Sequence, residues 1–301
     1  MNLSETFWIN FWRLFLLVMI LAVWQWGAEV NQWLVAGLEK GWQKALTIQV
    51  LEPFFISKPN LIWARFLELG CFTDATGAWI TAENGGFTGC LDNNTNNLWY
   101  ATLATLRNTF WGFLVGVGSG VVVGLILGRS DFLAQVFEPF IVAFNSLPRI
   151  ALVPLIVLIF GLGDASKIMT AWVIVFFIVF FSTFEGARSV DRDHINVARL
   201  LGASDWQVTW TVVVPSTLAW VFAVLTPALS FSLIGVIIGE FIGAQVGLGK
   251  IIIEAEATLE TADMMVALFV LMIVGVGLAL LIRRLQSYLL RWQSQFSGSG
   301  Q

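Results

Sequence analysis

Six stretches of this chain stay apolar long enough to cross a lipid bilayer: residues 11–26, 103–128, 136–160, 168–184, 218–238 and 264–282. Spanning a hydrocarbon layer of roughly 30 Å takes about 20 apolar residues as a helix. Only helices and closed barrels satisfy their own backbone there, so the pattern predicts an all-α integral membrane protein of six transmembrane helices. The first stretch is short, but no small-residue cleavage site follows it, and Trp24 and Trp26 lie where an interfacial aromatic belt would. It is therefore read as a retained span and not as a signal peptide. In the third, Pro148 and Pro154 remove backbone donors on either side of Arg149 and predict an irregular helix.

These stretches divide the chain into an N-terminal helix (1–27), a long loop (28–100), a core (101–291) and a flexible Ser/Gly tail (292–301). Within the loop, residues 60–70 fit one short amphipathic helix, with Leu61, Ile62, Phe66, Leu67 and Leu69 apolar and Arg65 and Glu68 on a shared polar face. It is too short to span and is expected to lie in the membrane interface. Residues 71–97 read as an exposed insertion rich in Gly and Asn. The second span has a glycine at every fourth position, Gly112, Gly116, Gly120, Gly124 and Gly128. Such a row forms a groove for close helix packing, whether against this chain or a second copy.

Between the fourth and fifth spans lies a polar break, residues 185–215. Asp193 is placed to cap a helix starting at His194, and Gly202 to end it in the left-handed conformation. Ser204, with Gln207 three residues on, forms a capping-box pattern for a second helix. Pro215 disfavours helix at Val214. The result is a helical hairpin of about 20 residues. Its apolar residues Val197, Leu200, Leu201, Trp206 and Trp210 either pack back on the ends of the spans or await a partner.

Composition agrees with a membrane chain: of 301 residues, 57% are hydrophobic and 12% charged, with 15 Trp and 25 Phe. Cytoplasmic loops hold the excess of Lys and Arg. Arg129, Arg188, Arg192, Arg199, Arg283, Arg284 and Arg291 all fall on one side, so both termini and the polar break are expected in the cytoplasm and the long loop outside. The net charge of −4 arises mostly in outside loops, and no basic patch suited to nucleic acid is present. Cys71 and Cys90 both lie in the outer loop, where an oxidising compartment permits a disulfide, the alternative being two free thiols.

Arg149 and Glu240 are the ionisable groups closest to the bilayer, and such residues are functional candidates because burying them is costly. An arginine at an aqueous pathway would suit an anionic solute; the alternative is a structural pairing. His194 is the only histidine, so neither a metal site nor a nucleophilic triad can be assembled. No phosphate-binding loop exists either: ahead of Gly249-Lys250, Ala244 stands where glycine is required, and Ile251 follows where a hydroxyl should bind magnesium.

The arrangement Asn196-Val197-Ala198, three residues, Gly202, nine residues, Val212-x-Val214-Pro215 resembles the Glu-Ala-Ala loop of permeases from binding-protein-dependent ABC importers. Ser146 to Leu155 followed by Phe160-Gly161-Leu162-Gly163, with Gly239-Glu240-Phe241 and Gly247-Leu248-Gly249, resembles the nitrate, sulfonate and bicarbonate (taurine-type) branch. The resemblance covers about residues 98–291. Asn196 stands at the family's opening Glu and Val197 at its following Ala.

The resemblance implies a type I importer permease fold and a bacterial inner-membrane subunit that passes a small anionic solute by alternating access. Two copies would form the pathway, and an external solute-binding protein would deliver the solute. Cytoplasmic ABC ATPase subunits would hold ATP and magnesium, with no cofactor bound by this chain. Coupling would fall to Asp193, Asn196, Val197, Ala198, Leu201, Gly202, Ala203 and Pro215, and the pathway to Pro148, Arg149, Pro154 and Glu240. The alternative class, an ion-coupled secondary transporter or channel, usually shows related halves and midplane acids, neither of which is evident.

Overall fold

The structure, a computed structural model, describes residues 3–35, 57–73, 77–80 and 97–289. Cys90, Arg291, the tail and most of the insertion lie outside these. Among the described residues the chain is helical apart from an isolated bridge between Thr73 and Trp79. The helices are α1 (Leu3–Val35), α2 (Pro59–Leu69), α3 (Leu98–Arg129), α4 (Asp131–Ser146), α5 (Val153–Phe160), α6 (Asp164–Arg188), α7 (Arg192–Leu200), α8 (Asp205–Val208), α9 (Val214–Phe241), α10 (Leu248–Thr258) and α11 (Thr261–Leu289). A 3-10 turn (Arg149–Leu152) precedes α5, and a π turn (Thr209–Val213) joins α8 to α9. Residues 1–100 with 251–270 form one compact unit and residues 101–250 with 271–301 another.

In the first unit, α2 begins at Pro59, whose missing N–H costs nothing in a first helical turn. The polar face expected for this helix has specific partners. Arg65 bonds both carboxylate oxygens of Asp263 at 2.6 Å and Glu68 at 2.7 Å, with Glu260 3.6 Å away. The hydrogen bond to Asp263 is the main reason its guanidinium holds its proton even more tightly than an ordinary arginine. Asn97 caps α3 by accepting from the Trp99 N–H at 2.8 Å, and the Trp99 indole donates to the Gly70 carbonyl at 2.9 Å. Cys71 is buried and disulfide-bonded.

The second unit is organised by the glycine row of α3. A Cβ at Gly112 would meet Ala171 at 2.5 Å, at Gly116 Val175 at 2.6 Å, at Gly120 the Phe176 carbonyl at 3.0 Å, at Gly124 Thr183 at 2.7 Å and at Gly128 Ala187 at 2.8 Å. The neighbour left open by the sequence is therefore α6 of the same chain. Contacts advance in step along both helices, so α3 and α6 run parallel. Gly186 meets Trp220, and Gly235 meets Ala171, which makes α6 and α9 antiparallel. Val175, Val179 and Ala228 form a buried core between them, with Phe113 and Val117 of α3 against it.

Among the described residues five helices are long and apolar enough to cross a membrane, and α4 with the 3-10 turn and α5, bent by 82°, makes a sixth if the pair is taken as one span. The irregular helix expected between Pro148 and Pro154 takes the form of this sharp break. The parallel course of α3 and α6 requires a return crossing between them, and only the bent pair can supply it. The break falls at Leu147-Pro148, where extended backbone separates α4 from the turn.

Pro215 also differs from expectation: it ends no helix. The Val214 N–H bonds the Thr209 carbonyl five residues back, and this wider turn gives the proline ring room beside the carbonyl it would otherwise strike. Helix therefore runs from Asp205 to Phe241, 37 residues, or about 55 Å.

Adding a side chain to the glycine row should open the α3–α6 contact. Gly116→Leu is expected to cost about 1–3 kcal/mol through overpacking, lowering the thermal unfolding midpoint in detergent. Gly118→Leu, at a position with open space around it, should leave the midpoint unchanged.

Candidate functional site

Every predicted coupling residue lies in the α7–α8 hairpin except Pro215, which opens α9. The N-cap is Asp191 and not Asp193: Asp191 accepts from the Asp193 N–H at 2.9 Å, and Asp193 occupies the first turn. Two aspartates two residues apart satisfy the same capping rule in sequence, and the turn out of α6 selects the earlier one. Gly202 has φ +86°, left-handed as expected. Its N–H donates to Arg199 O at 2.9 Å and that of Ala203 to Ala198 O at 3.1 Å, the paired bonds of a Schellman ending. The capping box also forms, with Gln207 N–H to Ser204 Oγ at 3.4 Å and Ser204 N–H to Gln207 Oε1 at 2.8 Å.

Ion pairs fasten this hairpin to its base. Asp205 accepts from Arg199 at 2.9 Å and lies 3.6 Å from Arg129 of α3, whose Nε donates to Thr209 Oγ1 at 3.1 Å. Ile195 and Val212 pack on a cluster of Ala187, Val190 and Val213. The five apolar residues singled out from the sequence do not pack back. Val197 is 56% exposed, Leu200 87% and Leu201 84%, and Trp206 and Trp210 stack edge-to-face in the open.

Helix α7 thus carries two stripes. Arg192, Ile195, Asn196 and Arg199, at i, i+3, i+4 and i+7, line a cleft of about 360 Å³ against the ends of α3 and α6. Val197, Leu200 and Leu201 lie outside that lining and face solvent. Asn196, predicted as a coupling residue, belongs to the cleft stripe.

At the other end of α6 and α9, Glu240 is 1% exposed. Its Oε1 accepts from Thr105 Oγ1 and its Oε2 from the Gly249 N–H, each at 2.8 Å, while Thr105 Oγ1 accepts from the Leu248 N–H at 3.0 Å. Gly247, at φ +146°, comes so close that a Cβ there would meet the carboxylate at 2.2 Å. Nearby, the buried Lys167 donates to the Val246 carbonyl at 3.0 Å. The carboxylate expected at a pathway is enclosed in this conformation, tying α3 and α9 to the segment that leads into α10. Thr105 and Lys167 were not picked out beforehand, since neither a single Thr nor a loop-flanking Lys carries a pattern.

Arg149 is half-buried between Pro148 and Pro154, its guanidinium 5.4 Å from the Phe177 ring centre. This is cation–π geometry. No group of three or more potential metal ligands occurs among the described residues.

The family described as "Binding-protein-dependent transport system inner membrane component" matches residues 120–295. A riboflavin transport system permease protein of Chloroflexus aurantiacus is 30% identical over 253 residues, 84% of this chain and 86% of that protein. A taurine transport system permease protein of Escherichia coli is 28% identical over 257 residues, again 84% and 86%. A formylaminopyrimidine transport permease protein of Halalkalibacterium halodurans is 28% identical over 192 residues, 64% and 77%. A solved chain of the MetNI methionine ABC transporter aligns with 64% of this chain and 92% of its own, at 22% identity and a TM-score of 0.47.

Truncation of Glu240 should loosen the knot it forms. Glu240→Ala leaves the Gly249 N–H and the Thr105 hydroxyl proton without acceptors in a buried site, at about 1–3 kcal/mol for each group. The expected outcome is a lower unfolding midpoint and faster hydrogen exchange at Leu248 and Gly249.

Proposed function

Because the chain belongs to the family of binding-protein-dependent transport system inner membrane components, we propose that its α7–α8 hairpin is the seat of a cytoplasmic ATPase that drives import. The chain is a multi-pass inner-membrane permease subunit of an ABC importer. The observation that carries the hairpin assignment is the exposure of Val197, Leu200 and Leu201 on a helix closed at both ends. A capped helix fixed by Asp205 holds three large apolar side chains in water, which costs burial energy unless a partner covers them. Leu201, Gly202 and Ala203 set the turn that presents this stripe, and Asp193 and Ala198 lie within the helix that bears it.

In this reading both termini and the hairpin face the cytoplasm, supported by Arg129, Arg188, Arg192, Arg199, Arg283 and Arg284 at the hairpin-side ends of α3, α6, α7 and α11. The pathway lies between two copies of the chain, and an external binding protein hands over the solute. ATP and magnesium sit on the ATPase. Closure of the ATPase pair moves the hairpins, and the continuous helix from Asp205 to Phe241 carries that motion through the membrane. The solute is small and anionic; Arg149, placed by the break at Pro148, is the cation that meets it, resting on Phe177 until it does.

Charging the exposed stripe tests the docking. The double variant Leu200→Glu/Leu201→Glu is expected to fold normally, yet to lose the ATPase on affinity purification and to lose uptake; retained ATPase would refute the assignment. Arg149→Gln should reduce whole-cell uptake about tenfold, the loss of one charge-assisted contact, with ATPase copurification intact. Unchanged uptake would remove Arg149 from the pathway.

A further inference from the structure

The cleft behind α7 gathers more positive charge than its ion pairs offset. Its lining brings together Arg129 at the end of α3, Arg188 at the end of α6, and Arg192 and Arg199 of α7, with Asp131 as its one carboxylate. Asp205, outside the lining, is shared by Arg129 and Arg199. Four guanidinium groups thus face two carboxylates. Arg188 and Arg192 form no ion pair among the described residues; Arg188 lies over the Phe184 ring, 5.5 Å from its centre. Like charges gathered in a cleft repel, and the low-dielectric protein behind them strengthens the effect.

The sixth polar member is Asn196. Its side chain is a neutral amide, so α7 adds no carboxylate to this ring of arginines. The amide can donate hydrogen bonds but brings no charge. A cleft of about 360 Å³ is at the small end of ligand pockets, ample for a tetrahedral oxyanion and part of what carries it.

We propose that this cleft binds a phosphate-type oxyanion, with Arg188 and Arg192 as its principal contacts and Asn196 as a further donor. Guanidinium forks match the paired oxygens of phosphate, and each such bond is charge-assisted. The cleft lies at the ends of membrane-spanning helices, so the anion has two sources of the same chemistry. One is the headgroup of an anionic phospholipid, the ligand that basic pockets between transmembrane helices take on the cytoplasmic side. The other is free phosphate. Because Arg192, Asn196 and Arg199 belong to the helix that also bears the exposed stripe, an occupied cleft would brace that helix from behind.

The test uses the full-length chain in lipid nanodiscs without any ATPase, so its outcome does not depend on the importer reading. In one arm, discs of phosphatidylcholine containing phosphatidylglycerol are examined by native mass spectrometry for phosphatidylglycerol that stays with the protein. In the other, inorganic phosphate is titrated calorimetrically into protein in pure phosphatidylcholine discs. Three proteins are compared: the natural chain, Arg188→Ala/Arg192→Ala, and Asn196→Glu, which removes no arginine and introduces a carboxylate at an exposed position. Binding in the first arm alone identifies the lipid, and binding in the second identifies the free ion. In either case both variants should bind roughly tenfold more weakly. Absence of binding in both arms, or binding that neither variant weakens, overturns the proposal.

Discussion

Close approach of α3 to α6 along the glycine row is the contact on which the core of this protein depends. Lipid tails are as apolar as leucine, so the hydrophobic effect does not drive helices together within a membrane, and packing must do it. Five glycines at four-residue spacing bring the α3 backbone within reach of Ala171, Val175, Phe176, Thr183 and Ala187. Once α3 and α6 lie parallel, two consequences follow. The intervening chain has to recross, which makes the bent α4–α5 pair a span, and the end of α6 is brought beside the end of α3, which creates the base for the hairpin.

The two ends of this frame are finished by opposite devices. At one, Glu240 is withdrawn from solvent and accepts from the Thr105 hydroxyl and the Gly249 N–H, two buried donors that depend on it. At the other, charge is left in excess and hydrocarbon is left uncovered. Asp205 spans two arginines while Arg188 and Arg192 face a cleft, and Leu200 and Leu201 stand in water. A hairpin capped this completely keeps its shape without a partner, so its exposed stripe is presented and not merely unfolded.

Caps and turns in the hairpin were readable because their rules are local. Gly202 takes the left-handed conformation and Ser204 with Gln207 closes its box as the residue types require. The rule failed where two residues satisfied it equally, at Asp191 and Asp193, and where a neighbouring irregularity relieved the local penalty, as the π turn does for Pro215. The bend at Pro148 was visible as an irregularity, but its angle was not, because that angle depends on what α4 and α5 pack against. Glu240 was legible as costly and illegible in purpose: its partners Thr105 and Gly249 lie 135 and 9 residues away.

By itself the sequence determined that this is a helical membrane protein, which stretches are apolar enough to cross, where the polar hairpin lies and how its turn and second helix are capped. Those properties follow from hydropathy, helix period and backbone preferences, each confined to a few neighbouring residues. Tertiary structure alone decided that the glycine row faces α6 of the same chain, that Glu240 is enclosed, and that α7 sets Asn196 and its arginines along an open cleft while Leu200 and Leu201 lie outside it. These are contacts between residues far apart in the chain, set by how helices pack, and no local pattern encodes which surface a neighbour will cover.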